Sequence, residues 1–141
     1  MPHLPTTPLH LGPAATATVE PDFPAPHLDP TPWYEAYTAR HAADAAQGHL
    51  VSQYNFTQSW TSWEVHPAGS EVVICTAGRI TLHQQAPAED GAPGPITTLT
   101  LAPGDYAINP PGAWHTADIA PGESATCIFL TPGEGTDHRP R

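Results

Sequence analysis

From His49 to Leu130 apolar and polar residues alternate in short runs broken by Gly and Pro. This period of two belongs to strands, not helices. His49 to Thr57 sets Leu50, Ser52, Tyr54 and Phe56 against Val51, Gln53 and Asn55, a half-buried strand. In the next run Trp60, Ser62, Glu64 and His66 share the face taken as inward, and Trp63 and Val65 face the other way. Pro67 to Ser70 is a tight connection, after which Glu71, Val73 and Cys75 point inward and Val72 and Ile74 outward. Further strands are expected over Arg79 to Gln84, Ile96 to Leu101, Tyr106 to Asn109 and Ala125 to Leu130. Turn-forming stretches at Ala86 to Pro95, Ala102 to Asp105, Pro110 to Gly112 and Ala120 to Gly122 separate them. Many short strands with such turns predict an all-β sandwich or barrel.

One segment breaks the alternation. Thr31 as N-cap, Pro32 at the first helical position, Glu35 in the first turn and Gly48 beyond the end frame a helix over Pro32 to Gln47. Trp33 and Tyr37 form an i, i+4 aromatic pair, and that face is expected to dock on the outside of the sheet. Before it, residues 1–30 hold eight of the nineteen prolines and few apolar side chains, so a disordered arm, or one laid across the surface or a partner subunit, is expected. His3, His10 and His27 in this arm lack ligand spacing and read as solvated. Residues 133–141 read as an exposed tail. Residues 31–132 are then the single domain, in keeping with 141 residues at 39% hydrophobic composition.

Charge narrows the function classes. The net charge is −10, with four arginines and no lysine, which argues against binding nucleic acid or an anionic membrane. The missing lysine excludes Schiff-base chemistry on a lysine. No apolar run approaches the roughly 18 residues of a membrane helix, and no basic segment leads an apolar one at the start, so a cytoplasmic protein is expected. Cys75 and Cys127 lie in strands outside any CxxC pattern and read as reduced and buried.

The candidate chemistry sits where strand parity brings polar groups together. Glu64 and His66 share a face, and Glu71 returns opposite them. His115, after the stiff Pro110-Pro111-Gly112 turn, supplies a fourth group. Two carboxylates and two imidazoles suit a divalent transition ion such as Fe, Mn, Ni or Zn. Trp60, Ser62 and Tyr106 are the expected pocket residues, with Trp114 as a further aromatic and His83 as a rim residue.

The two stretches Trp60 to Gly78 and Gly104 to His115 resemble the two signature motifs of the cupin family. His66, the four-residue gap to Glu71 and the six-residue gap to Gly78 follow the first motif, and Gly104, Pro110, Gly112 and His115 follow the second. Gln58 stands where the first motif has its leading Gly, Glu64 where it has its first His, and Ile119 where the second has its Asn. The resemblance covers Val51 to Pro132 and implies a double-stranded β-helix, a jelly-roll barrel with its site inside. It also implies pairing through outer sheets as a homodimer.

Three functions are open at this level. The first is a metal-dependent enzyme acting on a small oxygenated molecule, of oxygenase, isomerase or lyase type, with Glu64, His66, Glu71 and His115 as ligands and Glu64, His66 and His115 as the catalytic groups. The second is a metal-free isomerase, epimerase or dehydratase in which the same carboxylates and imidazoles move protons. The third is a small-ligand-binding barrel without turnover.

Overall fold

In the computed structural model, which describes residues 1–141, the alternating pattern becomes strands β1 (Leu9–Gly12), β2 (Thr16–Val19), β3 (His49–Phe56), β4 (Ser62–Val65), β5 (Glu71–Gly78) and β6 (Ile80–Gln85). They are followed by β7 (Ile96–Leu101), β8 (Tyr106–Asn109), β9 (Trp114–Asp118), β10 (Ala125–Thr131) and β11 (Asp137–Pro140). A single α-helix, α1 (Thr31–Arg40), precedes β3. One sheet has the order β2-β1-β3-β10-β5-β8, the other β11-β4-β9-β6-β7, and the strand pairings are antiparallel. The two sheets form the all-β barrel that the alternation predicts, with the jelly-roll form that the motif resemblance implies.

Parity holds in the central strands. In β5 Glu71, Val73 and Cys75 are buried and Val72 and Ile74 are half-buried, while in β10 Ala125, Cys127 and Phe129 are buried. Val73, Cys75, Ala125, Cys127 and Phe129 form the apolar core with Ile80, Leu82, Leu101, Ala107, Ala117 and Ile119. Gly78 ends β5 at φ +72°, and a Cβ there would lie 1.8 Å from the Ser124 carbonyl oxygen, so only glycine fits.

Three expectations change. The N-terminal arm is not a loose one: β1 pairs with β2 and, through Leu9↔Val51 and His10↔Leu50, with β3, so it extends the sheet. Buried polar groups hold it there together with the packing of Phe23 on Trp33, Tyr34 and Tyr54. His10, read as solvated, is 3% exposed and bonds Tyr37 and Asp44, and the buried Glu20 bonds Arg40 and His41. The helix stops at Arg40, and a 3₁₀ stretch Ala42–Gln47 follows, broken at Ala45 with φ 45°. Pro30, not Thr31, stands at the N-cap position, and Asp29 before it accepts the Thr31 backbone N–H at 3.0 Å. Trp33 and Tyr37 do stack, with centroids 5.5 Å apart, yet α1 lies over the barrel mouth, where Tyr34, Tyr37 and Thr38 line the cavity. Finally, the tail is a strand. β11 pairs with β4 from Asp137↔Val65 to Pro140↔Ser62. Arg139 lies between the rings of Trp63 and Trp114, at 5.3 and 4.5 Å, and Arg141 binds Asp118 at 2.6 Å.

Candidate metal centre

Glu64, His66, Glu71 and His115 lie close together inside the barrel. In the sheet, Glu64 of β4 stands opposite His115 of β9 on one side and His138 of β11 on the other. Directly opposed residues share a face, so this row projects inward together. His66 follows the end of β4, and Glu71 opens β5. One donor atom each from Glu64, His66 and His115 lie within 4.8 Å of one another, and the two imidazole centroids are 5.2 Å apart. The carboxylate of Glu71 spans the two rings, with Oε1 3.3 Å from His66 Nε2 and Oε2 3.2 Å from His115 Nε2.

Proton accounting at these rings decides what the cluster can hold. Thr136 Oγ1 donates its one proton to the Gly133 carbonyl at 3.0 Å, so toward His66 Nδ1, 2.8 Å away, it accepts. His66 therefore carries a proton on Nδ1. His115 Nδ1 faces the Ala113 carbonyl at 3.2 Å, which only accepts, so this nitrogen is protonated too. In the neutral rings both Nε2 atoms then present lone pairs toward the Glu71 carboxylate. Both are buried and make no hydrogen bond. Lone pairs facing a carboxylate call for a cation between them, a proton or a metal ion. Such a pattern, with Nδ1 pinned and Nε2 bare, is how metal-binding imidazoles are oriented.

Glu71 is itself held in place. Oε1 accepts from Thr131 Oγ1 at 2.7 Å and Oε2 from Asn109 Nδ2 at 2.9 Å, and Gln84 fixes that amide by donating to Asn109 Oδ1 at 2.7 Å. Burial pushes the Glu71 carboxyl up, but the imidazoles of His115 and His66 outweigh it and hold the group well below the usual carboxylate range. Burial conversely pulls His115 down, and the Glu71 carboxylate more than reverses this, leaving its pKa raised. Glu64 differs from the other three: its side chain is 27% exposed, and Oε1 lies 3.2 Å from His138 Nε2.

The cluster forms the floor of a cavity of about 1050 Å³. Trp60 and Ser62 line it as expected. Tyr106 does not: it pairs with Ile74, an outward residue, and is 65% exposed. Trp114, adjacent to the inward His115, stays outside under Arg139. Sequence reading missed Asn109, Thr131, Thr136 and His138. Asn109 had a signal, since it lies opposite Glu71 in the β5–β8 pairing, whereas the others come from the terminal strands and the segment between them.

A second group of three donors, His10, His41 and Asp44, also lies within 4.8 Å. Here the nitrogens already have partners. His10 bonds Tyr37 and Asp44 at 2.7 Å each, and His41 bonds Glu20 at 2.7 Å. The His10 and His41 rings are stacked 3.5 Å apart, with His10 Nε2 and His41 Nδ1 at 2.7 and 3.8 Å from Asp44 Oδ2. This group ties the N-terminal hairpin to α1.

No protein-family model matches the chain, and no curated protein matches it. Solved structures do match in fold. The latex protein peruvianin-I, a cysteine peptidase from Thevetia peruviana, has a TM-score of 0.53 at 22% identity over 65% of this chain and 56% of that one. Hydroquinone 1,2-dioxygenase from Sphingomonas sp. TTNP3, solved with 4-hydroxybenzoate bound, has a TM-score of 0.51 at 15% identity over 59% of this chain and 58% of that one. Oxalate oxidase has a TM-score of 0.53 at 13% identity, over 62% of this chain and 44% of that one. The chain has the cupin fold. It spans about half the length of these three chains, and at such identities the likeness concerns architecture alone. Within the cupin barrel the motif positions His66, Glu71 and His115 converge. Glu64, in place of the first motif histidine, supplies an oxygen donor to the same point.

Proposed function

We propose that this cupin is a metal-dependent enzyme acting on a small oxygenated organic molecule, of oxygenase, isomerase or lyase type. Glu64, His66, Glu71 and His115 would hold a divalent transition ion, Fe, Mn, Ni or Zn. The observation that carries this is the pair of buried, unbonded Nε2 atoms turned toward the Glu71 carboxylate. Two imidazoles and two carboxylates are also a donor set that such ions accept. When bound, the ion supplies Lewis acidity to a substrate oxygen.

The residues of the chain have separable roles in this reading. Thr136 and the Ala113 carbonyl keep the imidazoles in the ligating tautomer, and Asn109 and Thr131 orient Glu71. Glu64, the more exposed of the two cluster carboxylates that line the cavity, is placed to take or return a proton at Oε1 on the substrate side.

We also propose a homodimer. The outer face of the β5–β8–β10 region carries Val72, Ile74, Tyr106, Ile108, Ile128 and Leu130 in adjacent rows, with Tyr106 65% and Ile108 50% exposed. A cytoplasmic setting agrees with the free thiols of Cys75 and Cys127. No helix is long and apolar enough to cross a membrane, and the acidic charge speaks against nucleic acid as a partner.

The test is the metal content of the chain purified without chelators. About one ion per chain is expected, falling below about a tenth in Glu71→Gln and in His115→Ala. A wild-type chain with under about a tenth of an ion, and no thermal shift on adding Fe, Mn, Ni or Zn, rejects the metal site. Acid and base work by Glu64, His66 and His115 would then be the remaining enzymatic reading.

A further inference from the structure

The cavity above the metal centre has a marked asymmetry in charge. Glu35, Glu64 and Glu71 line it, and none of the four arginines does. Arg40 is drawn to Glu20, Arg139 lies between Trp63 and Trp114, and Arg141 is bound to Asp118. Lysine is missing from the chain altogether. A carboxylate ligand in this space would meet like charges and no guanidinium or ammonium, and the two imidazoles that line it, His66 and His138, already face Glu64 and Glu71.

One side of the wall is a continuous aromatic surface. Tyr54 and Phe56 from β3 pack with Phe129 from β10 at centroid distances of 5.8 and 5.9 Å, and Trp60 joins Phe56 at 5.6 Å and Phe129 at 6.1 Å. Trp60 then meets the ring of His115 at 6.3 Å, so the aromatic surface leads down to the metal centre. At the mouth, the hydroxyls of Tyr34 on α1 and Tyr54 are hydrogen-bonded to each other. Burial pushes both up, so both stay neutral. Rings packed edge-to-face and tilted at these distances offer faces and edges for another ring to stack upon. The volume, about 1050 Å³, is at the top of the usual range for drug-sized ligands, roughly 300–1,000 Å³, and far beyond what a two-carbon acid needs.

We infer that the cavity binds an uncharged, hydroxylated aromatic molecule of about two fused rings, stacked on Tyr54, Phe56, Trp60 and Phe129 with its hydroxyl donating to Glu64, and rejects aromatic and aliphatic carboxylates. This inference shares with the proposed function the place of binding and the carboxylate of Glu64. Stacking operates whether or not an ion is held, and charge selection is read in the stripped chain, because a divalent ion at the floor would offset the two carboxylates.

Isothermal titration of 2-naphthol, 2-naphthoate and oxalate into the full-length chain tests it, first stripped with a chelator and then reloaded with metal, with ion content measured on the same samples. In the stripped chain 2-naphthol is expected to bind at least about tenfold more tightly than 2-naphthoate, with oxalate silent. Phe129→Ala should weaken 2-naphthol by about tenfold or more, circular dichroism confirming the fold. Ser62→Lys, which sets an ammonium beside Glu64, should narrow or reverse the preference for 2-naphthol. Equal or tighter binding of 2-naphthoate by the stripped wild-type chain, or no uptake of 2-naphthol by stripped and loaded chain alike, overturns the inference. If the loaded chain holds its ion and still refuses 2-naphthol, the ligand class falls and the metal site stands. If 2-naphthol binds and the chain takes up no ion on reloading, the ligand class stands and the metal site falls.

Discussion

Replacing Thr136 with Val leaves His66 in place but removes the oxygen that accepts its Nδ1 proton. The metal dissociation constant, followed by competition with a chelating dye, is expected to rise by about 10- to 100-fold, the usual effect of losing a partner behind a ligand. Thr136→Ser should restore most of it. The thiols give a second prediction at this scale. Cys75 and Cys127 face each other across β5 and β10, and burial with the neighbouring sulfur pushes Cys127 up to about 12. Neither should react with a thiol-specific reagent until the chain unfolds, which timed alkylation in native buffer and in denaturant would show. Strand parity, a local rule, made His66 and Glu71 legible in the sequence, and the second motif added His115. Neither could reveal Thr131 or Thr136, whose bonds reach back 60 and 70 residues to Glu71 and His66. Tyr106 was misplaced because its facing depends on the β8 partner, Ile74, and a register is not written in one strand alone.

The elements at the two ends of the chain were the harder part to read. Proline and low apolar content in residues 1–30 describe a segment with little burial of its own, yet ionic and hydrogen-bonded groups hold its hairpin. Glu20 is 2% exposed with Arg40 and His41 on its carboxylate, so Glu20→Ala should lower stability in a urea titration by about 2 kcal/mol, the scale of hydrogen bonds to charged groups. β11 depends on a more exposed pair. The bond from Arg141 and the contact with His83 bring Asp118 down to about 2 from its usual 3.8. A carboxyl with a depressed native value stabilises above its unfolded pKa and loses that contribution as pH falls through the native one. Protection of the β11 amides from hydrogen exchange should hold above about pH 4 and fade toward pH 2. In Asp118→Asn it should be weaker at neutral pH and lack that step. Alternation in β4 could not show that β11 would cover its edge.

For the whole molecule, the all-β barrel followed from short alternating strands and their turns, and the structure confirms it with two antiparallel sheets. The outer apolar rows bear on assembly. If two copies meet there, Tyr106→Arg combined with Ile108→Lys should convert a dimer to a monomer in sedimentation velocity while leaving metal content unchanged, since neither side chain lines the cavity. A wild-type chain that sediments as a monomer removes the dimer from the account.

The position of α1 has a practical consequence for anyone reshaping this protein. Trimming the chain to the strands from His49 onward would look harmless on paper, because both motifs survive. It would strip away Tyr34, Tyr37 and Thr38, and with them one side of the vestibule above the His–Glu floor. Libraries aimed at new selectivity are therefore best seeded on that helix, whose residues touch the guest's path without touching the chemistry beneath.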